Sequence, residues 1–144
     1  MDLDQLQRQH DELQLLADRF HRAILDDSDP QPLGTLRWQF ARQLLAHLAL
    51  EDRFFYPAMQ RQPHEGLRAT AGRLQQEMAP IAEEFSSYVA RWSDDRIARE
   101  WAGFCHESRE MLSAILQRMA KEERLLMPLL VEAGLNPPRI SRVA

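Results

Sequence analysis

The feature of this 144-residue sequence that most restricts its fold is a helical spacing of apolar residues, three and four apart, along most of its length. Runs of alternating apolar and polar residues that are rich in Val, Ile and Thr, which would indicate strands, are missing. Four stretches carry the helical pattern: 4–27, 33–62, 64–92, and a last one from about 93 to 133. We therefore predict an all-α fold.

The connections between these stretches are short, and short connections make neighbouring helices run antiparallel. The arrangement predicted is an up-down-up-down four-helix bundle over residues 1–133, followed by a C-terminal tail over residues 134–144. Gly134 is a suitable residue to end the last helix. Pro80 interrupts the third stretch, where we expect a kink or a helix that restarts near Met78.

Bulk properties exclude several classes of function. The formal net charge is −4 and no block of Lys and Arg is present, which argues against binding to nucleic acid. The only cysteine, Cys105, can form neither an internal disulfide nor a cysteine zinc site. No apolar run is long enough to span a membrane and the first residues do not resemble a signal peptide. We expect a cytoplasmic protein, monomeric or homodimeric, that does not bind membranes.

Polar residues on the apolar helix faces are the most informative positions. They are His10, His47, Glu51, Arg118 and Glu122. A buried carboxylate is costly unless a cation neutralises it, so both glutamates need a metal ion or a basic partner. His47 and Glu51 are one helical turn apart and point the same way. In an antiparallel hairpin, His10 falls in the same layer.

Two imidazoles and two carboxylates that converge inside a bundle are typical of a carboxylate-bridged metal site. The candidate metal ligands are therefore His10, His47, Glu51 and Glu122. A simpler alternative remains open, in which the histidines are hydrogen-bonded core residues and Glu122 forms an internal ion pair with Arg118.

The segment His47-Leu48-Ala49-Leu50-Glu51-Asp52-Arg53-Phe54-Phe55-Tyr56-Pro57 resembles the His-x-x-x-Glu motif of hemerythrin-like, cation-binding HHE domains. Residues 118–128 resemble a second copy of this motif, with Arg118 in the position of the histidine. His10 is similar to the histidine on the first helix of that family. Glu77-Met78 is similar to the Glu-His that opens its third helix, with Met78 replacing the histidine.

The resemblance implies a site for two irons between the helices, bridged by two carboxylates, with each iron bound by histidines from one pair of helices. His10, His47, Glu51 and Glu122 match ligand positions, whereas Met78, Ala82 and Arg118 cannot be ligands. One half of the site is then kept and the other lost. The implied cofactor is at most one iron or other divalent metal ion, with a metal-free protein as the alternative. We further hypothesise that the Arg118 guanidinium replaces the missing cation.

Three functions are compatible with these residues. The first is a non-catalytic domain with one metal ion that acts in sensing or regulation. The second is a metal-free bundle that binds an unknown protein partner through its surface. The third, di-iron handling of oxygen or nitric oxide, needs the complete ligand set. No nucleophile with a neighbouring base is evident, so we predict no catalytic residues and do not expect enzymatic turnover.

Overall fold

Residues 2–135 are described by a computed structural model, and within this range the protein contains helices and no strand. The predicted all-α fold is confirmed. In chain order the elements are α1 (Leu3–Ala23), α2 (Gly34–Leu50), a π-helical turn (Glu51–Phe55), α3 (Tyr56–Gln60), α4 (Glu65–Arg91), α5 (Asp94–Arg99) and α6 (Trp101–Glu132). No helix in the described range is both long and apolar enough to cross a membrane.

The number of helices differs from the predicted four because two of the predicted helices are interrupted. The second is divided by the π-helical turn, which separates α2 from α3. The fourth is divided at Glu100, whose backbone (φ −126°, ψ 46°) leaves the helical region between α5 and α6. Directly after this break, Trp101 is buried and its indole N–H donates to the Asp26 carbonyl at 3.0 Å.

Two expectations about helix interiors and ends had different outcomes. The expected restart of the third helix near Met78 is wrong, because α4 continues through Pro80. Proline has no N–H to donate to the carbonyl four residues earlier in the helix. Because Pro80 is exposed, water can hydrogen-bond to that carbonyl instead. Gly134 ends α6 as predicted, with φ +75°, and the Leu135 N–H donates to the Leu130 carbonyl at 3.0 Å. The predicted division into domain 1–133 and tail 134–144 stays a prediction, and residues 136–144 lie outside the described range.

The buried apolar side chains form two separate clusters. The first, named here the Phe104 cluster, includes Leu13, Phe20, Phe40, Leu44, Phe85, Phe104, Leu112 and Met119. The second, named here the Met59 cluster, includes Leu3, Phe55, Tyr56, Met59, Leu67, Leu74, Met78, Leu126 and Leu130.

A layer of buried polar side chains separates the two clusters. In α1, His10 lies between Leu3 of the Met59 cluster and Leu13 of the Phe104 cluster. In α6, Glu122 lies between Met119 and Leu126 in the same way. The fold thus holds the polar residues between two apolar cores, where water has little access to them.

Phe104 lies at the centre of the larger cluster, fully buried among the rings of Phe20, Tyr88, Trp92 and Trp101 at centroid distances of 5.4–6.4 Å. We predict that Phe104→Ala lowers the free energy of unfolding by about 3–5 kcal/mol, because it leaves a cavity in this core. Chemical denaturation measures the loss. The exposed Phe54 provides the control, since Phe54→Ala should change stability by no more than about 0.5 kcal/mol. Equal effects of both substitutions would contradict this account of the core.

Candidate metal centre

The structure brings together the four residues predicted as metal ligands. His10 comes from α1, His47 from the last turn of α2, Glu51 from the start of the π-helical turn and Glu122 from α6. All four side chains are buried, and each offers one ligand atom within 4.8 Å of those of the other three. Among residues 2–135 this is the only such group of three or more histidine, cysteine, aspartate or glutamate side chains.

Hydrogen bonds on the outer side orient both imidazole rings. His47 Nδ1 is 2.8 Å from the Gln9 side-chain oxygen, and His10 Nδ1 is 2.9 Å from a carboxylate oxygen of Glu123. Both partner oxygens are acceptors, so each Nδ1 carries the proton and donates it. Each Nε2 is then left with a lone pair that points into the interior.

These two Nε2 atoms are buried and have no hydrogen-bond partner. His47 Nε2 lies 2.9 Å from Glu51 Oε1, so lone pairs on the two atoms face each other when Glu51 is ionised. His10 Nε2 lies 3.8 Å from Glu122 Oε1, beyond hydrogen-bond distance. A buried lone pair without a donor is costly, whereas a metal ion would satisfy both nitrogens at once. The donor set of two imidazoles and two carboxylates therefore fits a divalent transition metal.

Burial shifts the pKa values of three candidate ligands, Glu51, Glu122 and His47, so that their neutral forms are favoured. It raises the pKa of Glu51 to about 7 and, together with the nearby charge of Glu51, raises the pKa of Glu122 well above its usual range. Burial, reinforced by the charge of His10, lowers the pKa of His47 to about 3. In the absence of a metal ion, burial therefore favours a neutral His47 imidazole and protonated carboxyl groups on Glu51 and Glu122.

Only a small movement would be needed to bind an ion. Ligand atoms about 2.1 Å from one ion are at most about 4.2 Å apart, so the group spanning 4.8 Å would contract by roughly half an ångström. A cavity of about 20 Å³ borders His10, Glu51 and Glu122. That volume is close to the space required by a single water molecule.

Comparison with known protein families matches residues 1–130 to the hemerythrin HHE cation-binding domain. The chain belongs to the hemerythrin family. This match covers about nine-tenths of the chain and includes all four candidate ligands. No curated protein and no solved structure matches the sequence.

Met78 and Ala82, two positions that the family resemblance compares with ligands of a second ion, have no nitrogen or oxygen donor in their side chains. Met78 is buried and Ala82 is partly buried. Both line a cavity of about 230 Å³, whose wall also includes Glu51 and Tyr56. This hemerythrin domain therefore has open space beside Glu51, bordered by both apolar side chains and the polar side chains of Asp52, Arg53 and Gln75.

The hypothesis that Arg118 replaces the missing cation is wrong. The Arg118 side chain is 41% exposed, and its guanidinium donates to the Glu77 carbonyl at 3.3 Å and lies 3.9 Å from the Glu77 carboxylate. Lys121 pairs with the same carboxylate at 2.7 Å. Glu77 is exposed, so its pairing holds the Arg118 guanidinium at the surface.

Tyr56 is the important residue of this site that the sequence did not reveal. Its ring is buried and its hydroxyl donates a hydrogen bond to Glu122 Oε2. Residues five apart, such as Glu51 and Tyr56, are about 140° apart around an ideal α-helix, so they are not expected on the same face. The π-helical turn brings both inside, because the Tyr56 N–H donates to the carbonyl of Glu51, five residues earlier.

The shifted pKa values predict how Glu51→Gln affects the metal-free protein. The unfolded chain loses the Glu51 proton above about pH 4.5, whereas the folded protein keeps it until about pH 7. The free energy of unfolding therefore decreases as the pH rises between these two values. His47 acts in the opposite direction, but only below its unfolded pKa of 6.5. At pH 8, Glu51→Gln should therefore raise the free energy of unfolding, by up to about 3 kcal/mol.

Urea denaturation of chelator-treated protein at pH 8 and pH 5 measures this effect. At pH 5 the gain should fall below about 1 kcal/mol, because this pH is only slightly above the pKa of 4.5 in the unfolded chain. The exposed Glu83 supplies the control, since Glu83→Gln should give the same small change at both pH values. A destabilisation by Glu51→Gln at pH 8 would show that the buried carboxyl is not held in an unfavourable charged state.

Proposed function

We propose that this hemerythrin domain binds one divalent metal ion, with iron as the first candidate, through His10, His47, Glu51 and Glu122. Its role would be sensing or regulation without catalytic turnover. The observation that supports the proposal most directly is the pair of buried Nε2 lone pairs, which lie without donors beside two buried carboxyl groups. A purely structural histidine would be expected to satisfy both ring nitrogens.

Charge balance supports the same assignment. Two neutral imidazoles, two carboxylates and a divalent cation have no net charge, which suits a site enclosed by apolar clusters. Loading would release the protons that Glu51 and Glu122 hold in the metal-free protein. The bound ion would supply Lewis acidity and a coordination position for a small ligand. Gln9 and Glu123 would keep the two imidazoles oriented.

The missing half-site favours sensing over oxygen carriage or redox catalysis. A reaction that takes two electrons from two irons needs donors for both ions, and neither Met78 nor Ala82 offers a nitrogen or oxygen donor. A single ion whose ligands come from α1, α2, the π-helical turn and α6 would instead link several parts of the bundle. Loading or loss of that ion would then change how firmly these elements are held together.

A metal-free interaction protein is the second candidate, and one observation favours it. Glu122 already has a hydrogen-bond donor in Tyr56, and its raised pKa allows it to remain protonated. The bundle could therefore fold without an ion. A protein partner would then contact exposed apolar side chains, of which Phe54 and Trp38 are the largest.

We also propose that the long helices form the up-down-up-down bundle predicted from the sequence. The order of the two clusters along each helix supports this arrangement. α1 runs from the Met59 cluster to the Phe104 cluster, and the stretch from α2 to α3 runs back. α4 again runs toward the Phe104 cluster and α6 returns.

Metal content tests the main proposal. Protein produced in iron-supplemented medium without a histidine tag should contain about one metal ion per chain by elemental analysis. His47→Ala should lose the ion while remaining folded, because it removes a nitrogen ligand. His106→Ala is the control: His106 is a well-exposed histidine that lies 3.3 Å from Glu110 on the surface of α6. A folded wild-type protein that cannot be loaded with iron, zinc or cobalt would overturn the proposal in favour of the metal-free candidate.

A further inference from the structure

The hydroxyl of Tyr56 occupies an oxygen of Glu122 that would otherwise be open to a second cation. We propose that this hydrogen bond takes the place of a second metal ion and restricts Glu122 to binding the single ion through its other oxygen. Tyr56 is in this view a positioning residue that sets the coordination of the ion. The inference rests on the proposed function, because it assumes that one ion binds at His10, His47, Glu51 and Glu122.

The two oxygens of Glu122 face different partners. Oε1 lies 3.8 Å from His10 Nε2, on the side of the candidate ligand atoms. Oε2 accepts the hydrogen bond from Tyr56. A carboxylate that bridges two ions uses one oxygen for each. Here the hydroxyl competes for the second oxygen, so Glu122 is limited to one metal–oxygen bond.

Two basic side chains on the same stretch of α6 do not pair with Glu122. Arg118 and Lys121 both pair with Glu77 at the surface. Met78, which borders the cavity on the far side of Glu51, has only a thioether. Glu51 and His10 also interact with Glu122, but both are themselves candidate ligands of the ion. Tyr56 is the hydrogen-bond donor to Glu122 that lies outside the proposed ligand set.

The backbone holds the hydroxyl in this position. Tyr56 directly follows the π-helical turn, and its N–H bond to the Glu51 carbonyl fixes it to a candidate ligand residue. Its ring is packed in the Met59 cluster with Phe55 and Met59. A phenol held by both backbone and ring packing loses little conformational freedom when it binds Glu122, which strengthens its effect on the carboxylate.

Cobalt(II) provides a suitable probe, because its visible spectrum reports coordination number and its affinity can be measured by titration. We expect Tyr56→Phe to bind one Co²⁺ about 10- to 100-fold more weakly than wild type, as is usual when a group that orients a metal ligand is removed. The freed carboxylate could then bind through both oxygens, so the visible absorption should become weaker. Affinity and spectrum are measured in the same titration.

Tyr88 offers a matched control. It is also a buried tyrosine, and its hydroxyl is hydrogen-bonded to Ser108 within the Phe104 cluster. Tyr88→Phe removes a buried phenolic hydroxyl without touching the candidate ligands. It should leave the affinity for Co²⁺ and the spectrum unchanged, even if it lowers the stability of the protein.

A double-mutant cycle with Glu122→Gln tests whether Tyr56 acts through Glu122. If it does, Tyr56→Phe should weaken Co²⁺ binding much less in the Glu122→Gln background than in the wild type. Full additivity of the two substitutions would mean that Tyr56 acts elsewhere, and would overturn the inference.

The remaining outcomes separate the inference from the proposed function. If the wild type binds one Co²⁺ but Tyr56→Phe leaves affinity and spectrum as unchanged as Tyr88→Phe does, only the role of Tyr56 is overturned. An intense visible band in the Fe³⁺-loaded wild type that disappears in Tyr56→Phe would identify Tyr56 as a ligand, which contradicts a positioning role. Wild type that binds no Co²⁺ would overturn the proposed function, and the inference with it.

Discussion

Two carboxyl groups buried next to each other, those of Glu51 and Glu122, impose the constraint on which the centre of this protein depends. Removing a charged carboxylate from water costs several kcal/mol unless a cation or a set of hydrogen-bond donors compensates. In the described residues the only ring nitrogens nearby belong to His10 and His47, and their outer nitrogens are already used by Gln9 and Glu123. Bound protons can neutralise the two carboxyl groups, and in the proposed function a bound cation would do so instead.

The backbone contributes to this arrangement through a local departure from α-helical geometry. An α-helix that continued straight from α2 would place either Glu51 or Tyr56 away from the interior, since they are five residues apart. The π-helical turn lets both enter, and both touch Glu122 or the space beside it. Such turns are less stable than regular helix and occur often at functional sites. Its position within the family motif suggests that the site, more than the fold, requires it.

Much of this could be predicted from the sequence, because burial leaves a clear periodic pattern. The helical spacing predicts the fold class. Four of the five polar residues on the apolar faces, all except Arg118, are brought together by the structure. What the pattern could not give were features that depend on a few backbone angles or on competition between neighbours. The π-helical turn places Tyr56 in the site, where regular helical spacing does not predict it. The break at Glu100 divides the last predicted helix into two. Both the helical spacing and the motif predict an interior position for Arg118, whereas its bonds to Glu77 hold it at the surface.

The polar layer also has a consequence for how the bundle behaves as a whole. It divides the interior into the Phe104 and Met59 clusters, and apolar attraction alone cannot join them across it. Without an ion, we expect the two ends of the molecule to unfold locally and independently, each with its own free energy of opening. A bound ion with ligands from α1, from α2 and the π-helical turn, and from α6 would join both ends into one cooperative unit. Binding of the ion in the middle of the bundle would then reduce local opening at both ends of the helices, which do not contact the ion.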